Sequence, residues 1–455
     1  MEKLLLIRHG ESIANKAGII QGKSDFVLSS DGIKDVQKLV TDNYDLLKKY
    51  NRIISGPQKR AIQTANIVKE NTNFDISYDK LLEEVGAGIL EGLKKDFVKE
   101  NYPEYFKTWS ARDDLDTIPG AEKGDEIQAR VLMFLERYLY CDSNDIIVSH
   151  AGLFRSLINT IMFRDRRTNI DLGHNKIYCL EDVWKNIPIS ECEIAKNSRV
   201  FKIETYDKKY IMKKINKTSL ESEYKEKQLL DYLSKQISTP NVIGLSKHDN
   251  YILKIMNYAE GVNINQTLNK VKINNTTKEL YKLKQLLKIY ENSFEYDSCN
   301  IIDEFNKILA TINDEEVKKI IQKILVDESF EKYLINDSIQ LVHDDLHRYN
   351  ILYNQNEPIF LDFDGIKKWP STYQLASYIA ANYLLYDNDF NFDVVLNKWP
   401  EKIDVNYLEN LILFRLVKGF SYFEKRINSN IYTDDDIQLK QTYKNSILKI
   451  KKGDL

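Results

Sequence analysis

The chain has 455 residues, more than one hydrophobic core usually holds, so two or three domains are expected. With 43% hydrophobic residues and a formal net charge of −3, the composition is that of an ordinary globular protein, with no basic excess to neutralise a nucleic-acid backbone. No apolar run approaches the ~18 residues of a membrane span, and the first strand starts almost at Met1, leaving no room for a signal peptide. A cytoplasmic protein is therefore expected, and Cys141, Cys179, Cys192 and Cys299, which form no C-x-x-C pair, are expected to be reduced thiols.

The first predicted strand, Leu4-Leu5-Leu6-Ile7, breaks into Arg8-His9-Gly10-Glu11 and so sets an imidazole at a buried strand end. A histidine there can attack phosphorus and hold the phosphoryl group covalently, while an adjacent arginine clamps the equatorial oxygens. Gly32 to Leu47 reads as an amphipathic helix. Next comes the strand Arg52-Ile53-Ile54, then Ser55-Gly56-Pro57 and a helix whose first turns carry Arg60, where amide N–H groups and a guanidinium can face one anion. Leu81 to Gly92 is a Gly-rich turn bearing carboxyls, one of which can protonate a leaving alkoxide. A helix over Glu126 to Leu139 leads to a second apolar strand, Asp145 to Val148, ending in Ser149-His150-Ala151-Gly152. Strands alternating with helices, with reactive residues at strand ends, are the pattern of an open α/β sheet that binds its ligand at those ends. Asn175 to Leu180 reads as a late strand, His174 as structural, and Trp184 to Ser190 as a domain boundary.

Over residues 1–190 these motifs, R-H-G-E, S-x-x-x-x-R-A-x-Q-T-A, L-x-E-x-x-x-G-x-x-E-G and S-H-x-G, occur in the order seen in the histidine phosphatase superfamily, the phosphoglycerate mutase-like enzymes, which this half resembles. The resemblance implies a three-layer α/β/α fold with His9 as nucleophile, Arg8, Arg60 and His150 on the phosphate, and Glu84 as proton donor, Glu83 being the neighbouring alternative. Asn15, Gln21 and Gly22 fall where the family contacts substrate. The short length of this half is more similar to phosphatases than to mutases, which carry a longer insertion.

After Asn197 the pattern restarts. Arg199 to Thr205 and Tyr210 to Lys213 read as a hairpin around Tyr206 to Lys209, followed by a helix over about Ser219 to Gln236 and a strand over Tyr251 to Met256. From about Thr277 the composition is helical to the C-terminus, with one interruption. It reads Leu341-Val342-His343-Asp344-Asp345-Leu346-His347-Arg348-Tyr349-Asn350-Ile351-Leu352, and, after a turn, Ile359-Phe360-Leu361-Asp362-Phe363-Asp364-Gly365. An Asp that accepts a hydroxyl proton, an Asn five residues on and an Asp on the next strand are a set that positions an alcohol and holds magnesium on ATP.

This half resembles the aminoglycoside phosphotransferase and choline kinase-like superfamily over residues 198–455, which implies a bilobal α+β protein kinase-like fold. By that resemblance Asp345 is the base, Asn350 and Asp362 bind Mg2+, and His343 braces the catalytic loop. Lys213 would meet the phosphates of ATP, or of GTP in its place, with Glu226 as partner and Met256 at the hinge that holds the nucleobase; Lys214 and Glu223 are the alternatives. The hairpin turn assigned to the phosphates lacks glycine, and Gln374 stands where relatives have Asp.

The expectation is thus a bifunctional enzyme with a phosphate ester as substrate of one half and a small alcohol (sugar, polyol or amino alcohol) as acceptor of the other. The alternatives are a regulatory pair acting on one metabolite, a mutase, or a half that only senses a phosphorylated ligand. The oligomeric state, the acceptor and the phosphatase substrate are not specified by the sequence.

Overall fold

Aliphatic runs too short for helices, such as Leu4–Ile7 and Ile146–Val148, become strands buried on both faces, which is why they show no polar alternation. The computed structural model describes the chain apart from residues 1–2, 112–114, 140–143, 166, 175, 182–188, 196–197, 217–219, 249, 264–269, 292–299, 348, 384–391, 430–431 and 452–455. It divides into two units, Met1–Leu220 with Val242–Tyr258, and Glu221–Asn241 with Ala259–Leu455.

The first unit runs β1 (Lys3–Arg8), α1 (Ile13–Lys16), α2 (Ser30–Asp42), α3 (Tyr44–Leu47), β2 (Arg52–Ser55), α4 (Lys59–Thr72), β3 (Ile76–Tyr78), α5 (Lys95–Asn101), α6 (Pro103–Ala111), α7 (Gly124–Leu139), β4 (Asp145–Ser149), α8 (Ala151–Ile161) and β5 (Ile177–Glu181). The sheet order is β3-β2-β4-β1-β5, parallel except for β5. Successive side chains of β1 alternate between layers: Leu5 and Ile7 pack with Val36 of α2 and Ala61 of α4, Leu4 and Leu6 with Leu132 of α7 and Leu157 of α8. The result is the expected three-layer α/β arrangement. Pairing β1 beside β4 puts Arg8 opposite Ser149, so His9 and His150 leave the sheet at the same end.

The same unit holds a second, antiparallel sheet in the order β6-β7-β8-β10-β9, from β6 (Ile189–Ala195), β7 (Ser198–Glu204), β8 (Lys209–Ile215), β9 (Val242–Lys247) and β10 (Ile252–Asn257). Ile203, Tyr210, Met212, Leu253 and Ile255 join the core formed by α7. The sequence places a boundary between 190 and 198, whereas this unit extends through Leu220 and takes in Val242–Tyr258, because these strands bury their apolar face on α7. Strand β6 was not expected; most of the segment read as a boundary, residues 182–188, lies outside the described residues. It pairs antiparallel with β7; residues 196–197, between the two strands, also lie outside the described residues.

The second unit contains α9 (Glu221–Leu233), β11 (Val262–Asn263), α10 (Lys270–Tyr290), α11 (Ile301–Leu309), α12 (Glu315–Leu325), α13 (Glu328–Asn336), β12 (Ile339–His343), β13 (Ile351–Asn354), β14 (Glu357–Phe360), β15 (Ile366–Pro370), α14 (Tyr373–Tyr383), α15 (Phe392–Lys398), α16 (Val405–Asn428) and α17 (Asp434–Lys451). Its strands form the ladders β11-β13-β14 and β12-β15. Asp residues at 314, 327 and 404 cap α12, α13 and α16 by accepting from first-turn amides, which explains why those helices start where they do. Among the described residues no helix is long and apolar enough to cross a membrane.

Candidate active sites

His9 follows the last residue of β1, its N–H donating to Ser149 O at 3.0 Å, and its side chain is 2% exposed. Its Nδ1–H donates to Gly10 O (2.7 Å), which leaves the Nε2 lone pair bare. Burial, reinforced by Arg60 and Arg8, pushes its pKa well below the ordinary imidazole value, so the ring is neutral. Gly10 is needed here: a Cβ would lie 2.6 Å from Val36 Cγ2 and 2.9 Å from Gly32 O. The ring of His150 lies 5.0 Å from that of His9 between centroids. Its Nε2 donates to Gln58 Oε1 (2.8 Å), while the buried Nδ1 has no hydrogen-bond partner among the described residues.

Arg60, on the first turn of α4, is fully buried and held by Gly22 O (2.9 Å) and Ser24 O (2.7 Å). Arg8 is anchored on Leu172 O (2.5 Å). Glu84 accepts from Val85 N (2.9 Å) and from Gly152 N and Leu153 N (3.3 and 3.2 Å) at the start of α8. Arg8, His9, Asn15, Gln21, Gly22, Arg60 and Glu84 all line one cavity of about 460 Å³. Glu83 does not line it and instead lies 3.9 Å from Lys23 Nζ. A neutral imidazole among guanidinium groups, beside a carboxyl, suits attack on a phosphate dianion.

The cavity also contains residues that the motifs do not flag: Lys95, Trp109, Arg155 and Arg167. Arg155 lies three residues beyond Gly152 on the same face of α8, a spacing that sequence reasoning could have used. His174, which the sequence assigns to structure, makes a structural contact beside the site: its Nδ1 donates to His9 O (3.0 Å) and its ring centroid is 5.5 Å from that of His9. It reaches the site by chain return, which leaves no local signature.

The second unit has its own polar centre. Leu361 N donates to Asn350 O (2.9 Å), continuing the β13–β14 register so that Asn350 stands opposite Leu361, the residue before Asp362. Asp362 takes the left-handed conformation (φ 56°), strained for a non-glycine residue by about 1–3 kcal/mol. His343 donates through Nε2 to Leu361 O (2.8 Å) and accepts Asp345 N on Nδ1 (3.4 Å), which braces the loop. Asp345 pairs with Arg415 of α16 (2.9 Å) and with His347 Nε2 (3.4 Å). Burial raises its pKa, but the His347 hydrogen bond and the Arg415 charge outweigh this and hold the carboxyl well below its usual range. Lys418 pairs with Asp344 (3.0 Å), and Gln374 is a satisfied structural amide, accepting from His343 N (3.2 Å) and donating to Leu280 O (3.0 Å).

Glu226 and Glu223, both buried on α9, carry carboxylate oxygens within 4.8 Å of each other and of Asp364. In the first unit, Lys213 of β8 faces away from α7 by strand alternation, whereas Lys214 pairs with Glu136 of α7 (3.2 Å) and covers the Tyr251 ring at 3.8 Å. Met256 stands near the end of β10 opposite Ile211.

The comparisons agree with the first site. Residues 4–181 match the family model described as histidine phosphatase superfamily (branch 1). Phosphoserine phosphatase 1 of Hydrogenobacter thermophilus is 31% identical over 163 residues, covering 34% of this chain and 74% of that protein. Phosphoglycerate mutase-like protein 4 of Arabidopsis thaliana is 29% identical over 159 residues, covering 34% and 69%. Among solved structures, alpha-ribazole phosphatase from Shigella flexneri is 25% identical and covers 39% of this chain and 90% of its own (TM-score 0.36). Amicoumacin kinase hAmiN, solved with AMP-PNP, Ca2+ and Ami, is 15% identical and covers 58% and 88% (TM-score 0.46). Through residues 4–181, this chain belongs to the histidine phosphatase superfamily, whose phosphatase and mutase chemistry resides in its N-terminal half.

Proposed function

We propose that residues 1–190 are a phosphomonoesterase working through a phosphohistidine at His9, and that residues 198–455 are a magnesium- and ATP-dependent kinase for a small alcohol. The observation that carries the first reading is the neutral, tautomer-fixed imidazole of His9 set among Arg8, Arg60 and His150. His9 Nε2 attacks phosphorus, the bond to the ester oxygen breaks, and Glu84 gives its proton to the leaving alkoxide. Glu84 then takes a proton from water, whose oxygen attacks phosphorus as the N–P bond breaks, regenerating His9. Arg8 and Arg60 hold the phosphoryl oxygens throughout, His150 joins them once its Nδ1 is protonated, and Asn15, Gln21 and Gly22 stand against the alcohol part.

The relatives named for phosphoserine and phosphoglycerate act on esters that carry a carboxylate. Lys95, Arg155 and Arg167 around the cavity support an ester with a second acidic group for this chain as well.

For the kinase, the fit rests on the hard oxygen donors of Asn350, whose amide N–H donates to Asp345 O (2.9 Å), and Asp362, which suit Mg2+. Bound magnesium-ATP would supply the phosphoryl group with part of its charge neutralised. Asp345 accepts the proton of the acceptor hydroxyl, His343 holds the loop, and Glu226 of the same unit serves the nucleotide.

The test uses His9→Ala with magnesium-ATP and a panel of sugars, polyols, amino alcohols and aminoglycosides, read by phosphorus NMR. A phosphorylated product that is absent with Asp345→Ala supports the kinase, and its loss on adding wild-type protein would make the two halves opponents at one ester. No product from any acceptor would count against the kinase reading. The phosphatase reading requires an acid-labile phosphoenzyme on wild-type protein and none on His9→Ala.

A further inference from the structure

The loop that ends at Glu84 is held by side chains of α7. Asp79 opens it: its carboxylate caps the 3-10 turn Lys80–Leu82 by accepting from Leu81 N (2.9 Å), and it also receives Tyr138 Oη (2.6 Å) and the Arg137 guanidinium. Two turns back along the same helix, Arg130 Nη1 donates to Leu81 O (3.0 Å) and Glu83 O (2.5 Å), while its Nε and Nη2 bind Glu122 at 2.9 Å each. The loop from Asp79 to Glu83 is therefore tied to α7, while the carboxylate of Glu84 itself accepts from Gly152 N and Leu153 N of α8.

The opposite side of α7 is committed to the second sheet. Arg137 Nη2 donates to Ser246 Oγ of β9 (2.9 Å) and lies 3.5 Å from Lys247 O. Buried Glu136 accepts from Tyr251 Oη (2.8 Å) and pairs with Lys214, and at the other end Asp125 pairs with Lys208 (2.9 Å) and accepts from Tyr210 Oη (3.1 Å). Approach is close: a Cβ on Gly244 of β9 would lie 2.2 Å from Met133 Cε and 3.1 Å from Ala129 Cβ.

We infer that the sheet β6–β10, which lies wholly outside residues 4–181, positions the acid-bearing loop of the phosphatase site, with Arg137, Tyr138 and Ser246 as positioning residues for proton delivery by Glu84. One guanidinium spans the two sides, so a shift of β9 against α7 moves the Asp79 end of the loop. Proton transfer needs the donor within about 2.6–3.2 Å of the leaving oxygen, and a displacement of about 1 Å can cost on the order of 10²-fold. The inference rests on the reading of Glu84 as the acid, and its test separates the two.

The full chain is assayed on p-nitrophenyl phosphate, phenyl phosphate and an alkyl phosphate, and log kcat/KM is plotted against leaving-group acidity. A nitrophenolate departs without help, whereas an alkoxide needs the proton. Glu84→Gln should steepen the slope, sparing nitrophenyl phosphate and lowering the alkyl ester on the order of 10²-fold. Arg137→Gln should steepen it in the same sense, about tenfold on the alkyl ester and less than about twofold on nitrophenyl phosphate. Ser246→Ala, a mild change that removes only the strand-side hydroxyl, should give a smaller steepening of about two- to threefold. If Arg137→Gln lowers all esters equally, or leaves the slope unchanged while Glu84→Gln steepens it, the positioning role fails and the acid stands. If Ser246→Ala leaves the slope unchanged, the sheet has no part in it. If Glu84→Gln itself leaves the slope unchanged, the acid assignment fails and the inference falls with it.

Discussion

His9, buried just past β1 in the first unit, and Asp345, half-exposed two residues past β12 in the second, are both candidate reactive groups, and their surroundings treat them in opposite ways. Around His9 stand cations, Arg8 and Arg60, whose charge pushes the imidazole towards neutrality and awaits an anion. Around Asp345 stand Arg415 and His347, which hold the carboxyl ionised and already supply opposite charge. The difference teaches what each site is prepared for. On the proposed functions, the first, being electropositive, would take a phosphate directly, whereas the second, which offers carboxylates and an amide, would need a bridging cation before phosphates approach.

Removing the group on which the first site depends should have the largest effect. His9→Ala is expected to lower phosphatase activity on the order of 10⁴-fold or more and to abolish the phosphoenzyme while leaving ATP-dependent phosphorylation intact. Residual turnover close to wild type would place the nucleophile elsewhere.

On the other side of the comparison, Arg415→Met removes the fixed counter-charge of Asp345. Kinase turnover should fall about 10²-fold, and stability by about 1–3 kcal/mol, the worth of a hydrogen bond to a charged group. Unchanged turnover with each acceptor would show that Arg415 serves packing alone.

Acid titration should separate the buried histidines from Asp345 in pH. Burial is the main cause of the lowered pKa values of His9, His150 and His343, so the unfolded chain protonates first as pH drops. Their contribution is complete above the unfolded value of about 6.5 and is lost as pH falls from there towards the folded values, by about 1.4 kcal/mol per histidine per pH unit. The depressed Asp345 carboxyl contributes fully above about 3.9 and loses its share only as pH falls through its lower folded value. Denaturant melts between pH 7 and 5 should therefore respond to His9→Ala, with a shallower slope, and not to Asp345→Asn. Equal slopes for wild type and His9→Ala would contradict a neutral buried His9.

The smallest expected effect lies at the cavity wall. Arg155→Met should raise KM about fivefold for an ester bearing a carboxylate and leave a neutral ester unchanged. An equal rise for both would remove the second-anion reading.

Much of the fold's first layer was legible because it is local. Apolar tetrapeptides at Leu4 and Ile146 read as buried strands, and the residues that end them, Arg8-His9 and Ser149-His150, leave the sheet side by side once β1 and β4 pair in parallel register. The helical periodicity of α2 and α7 was readable for the same reason. Strand β6 was not, since Pro188 and the polar residues around it look like a linker until a sheet edge claims them.

By itself, the sequence determined which residue types stand at strand ends and at what spacing, because strand, turn and cap preferences act within a few residues. Only the tertiary structure put Glu84 rather than Glu83 on the cavity wall, brought His174 to His9, laid Arg415 on Asp345 and seated the second sheet on α7. Each of these joins groups far apart in the chain. Such pairings are selected by burial, charge and close packing in the folded protein, which leave no periodicity in a local stretch of sequence.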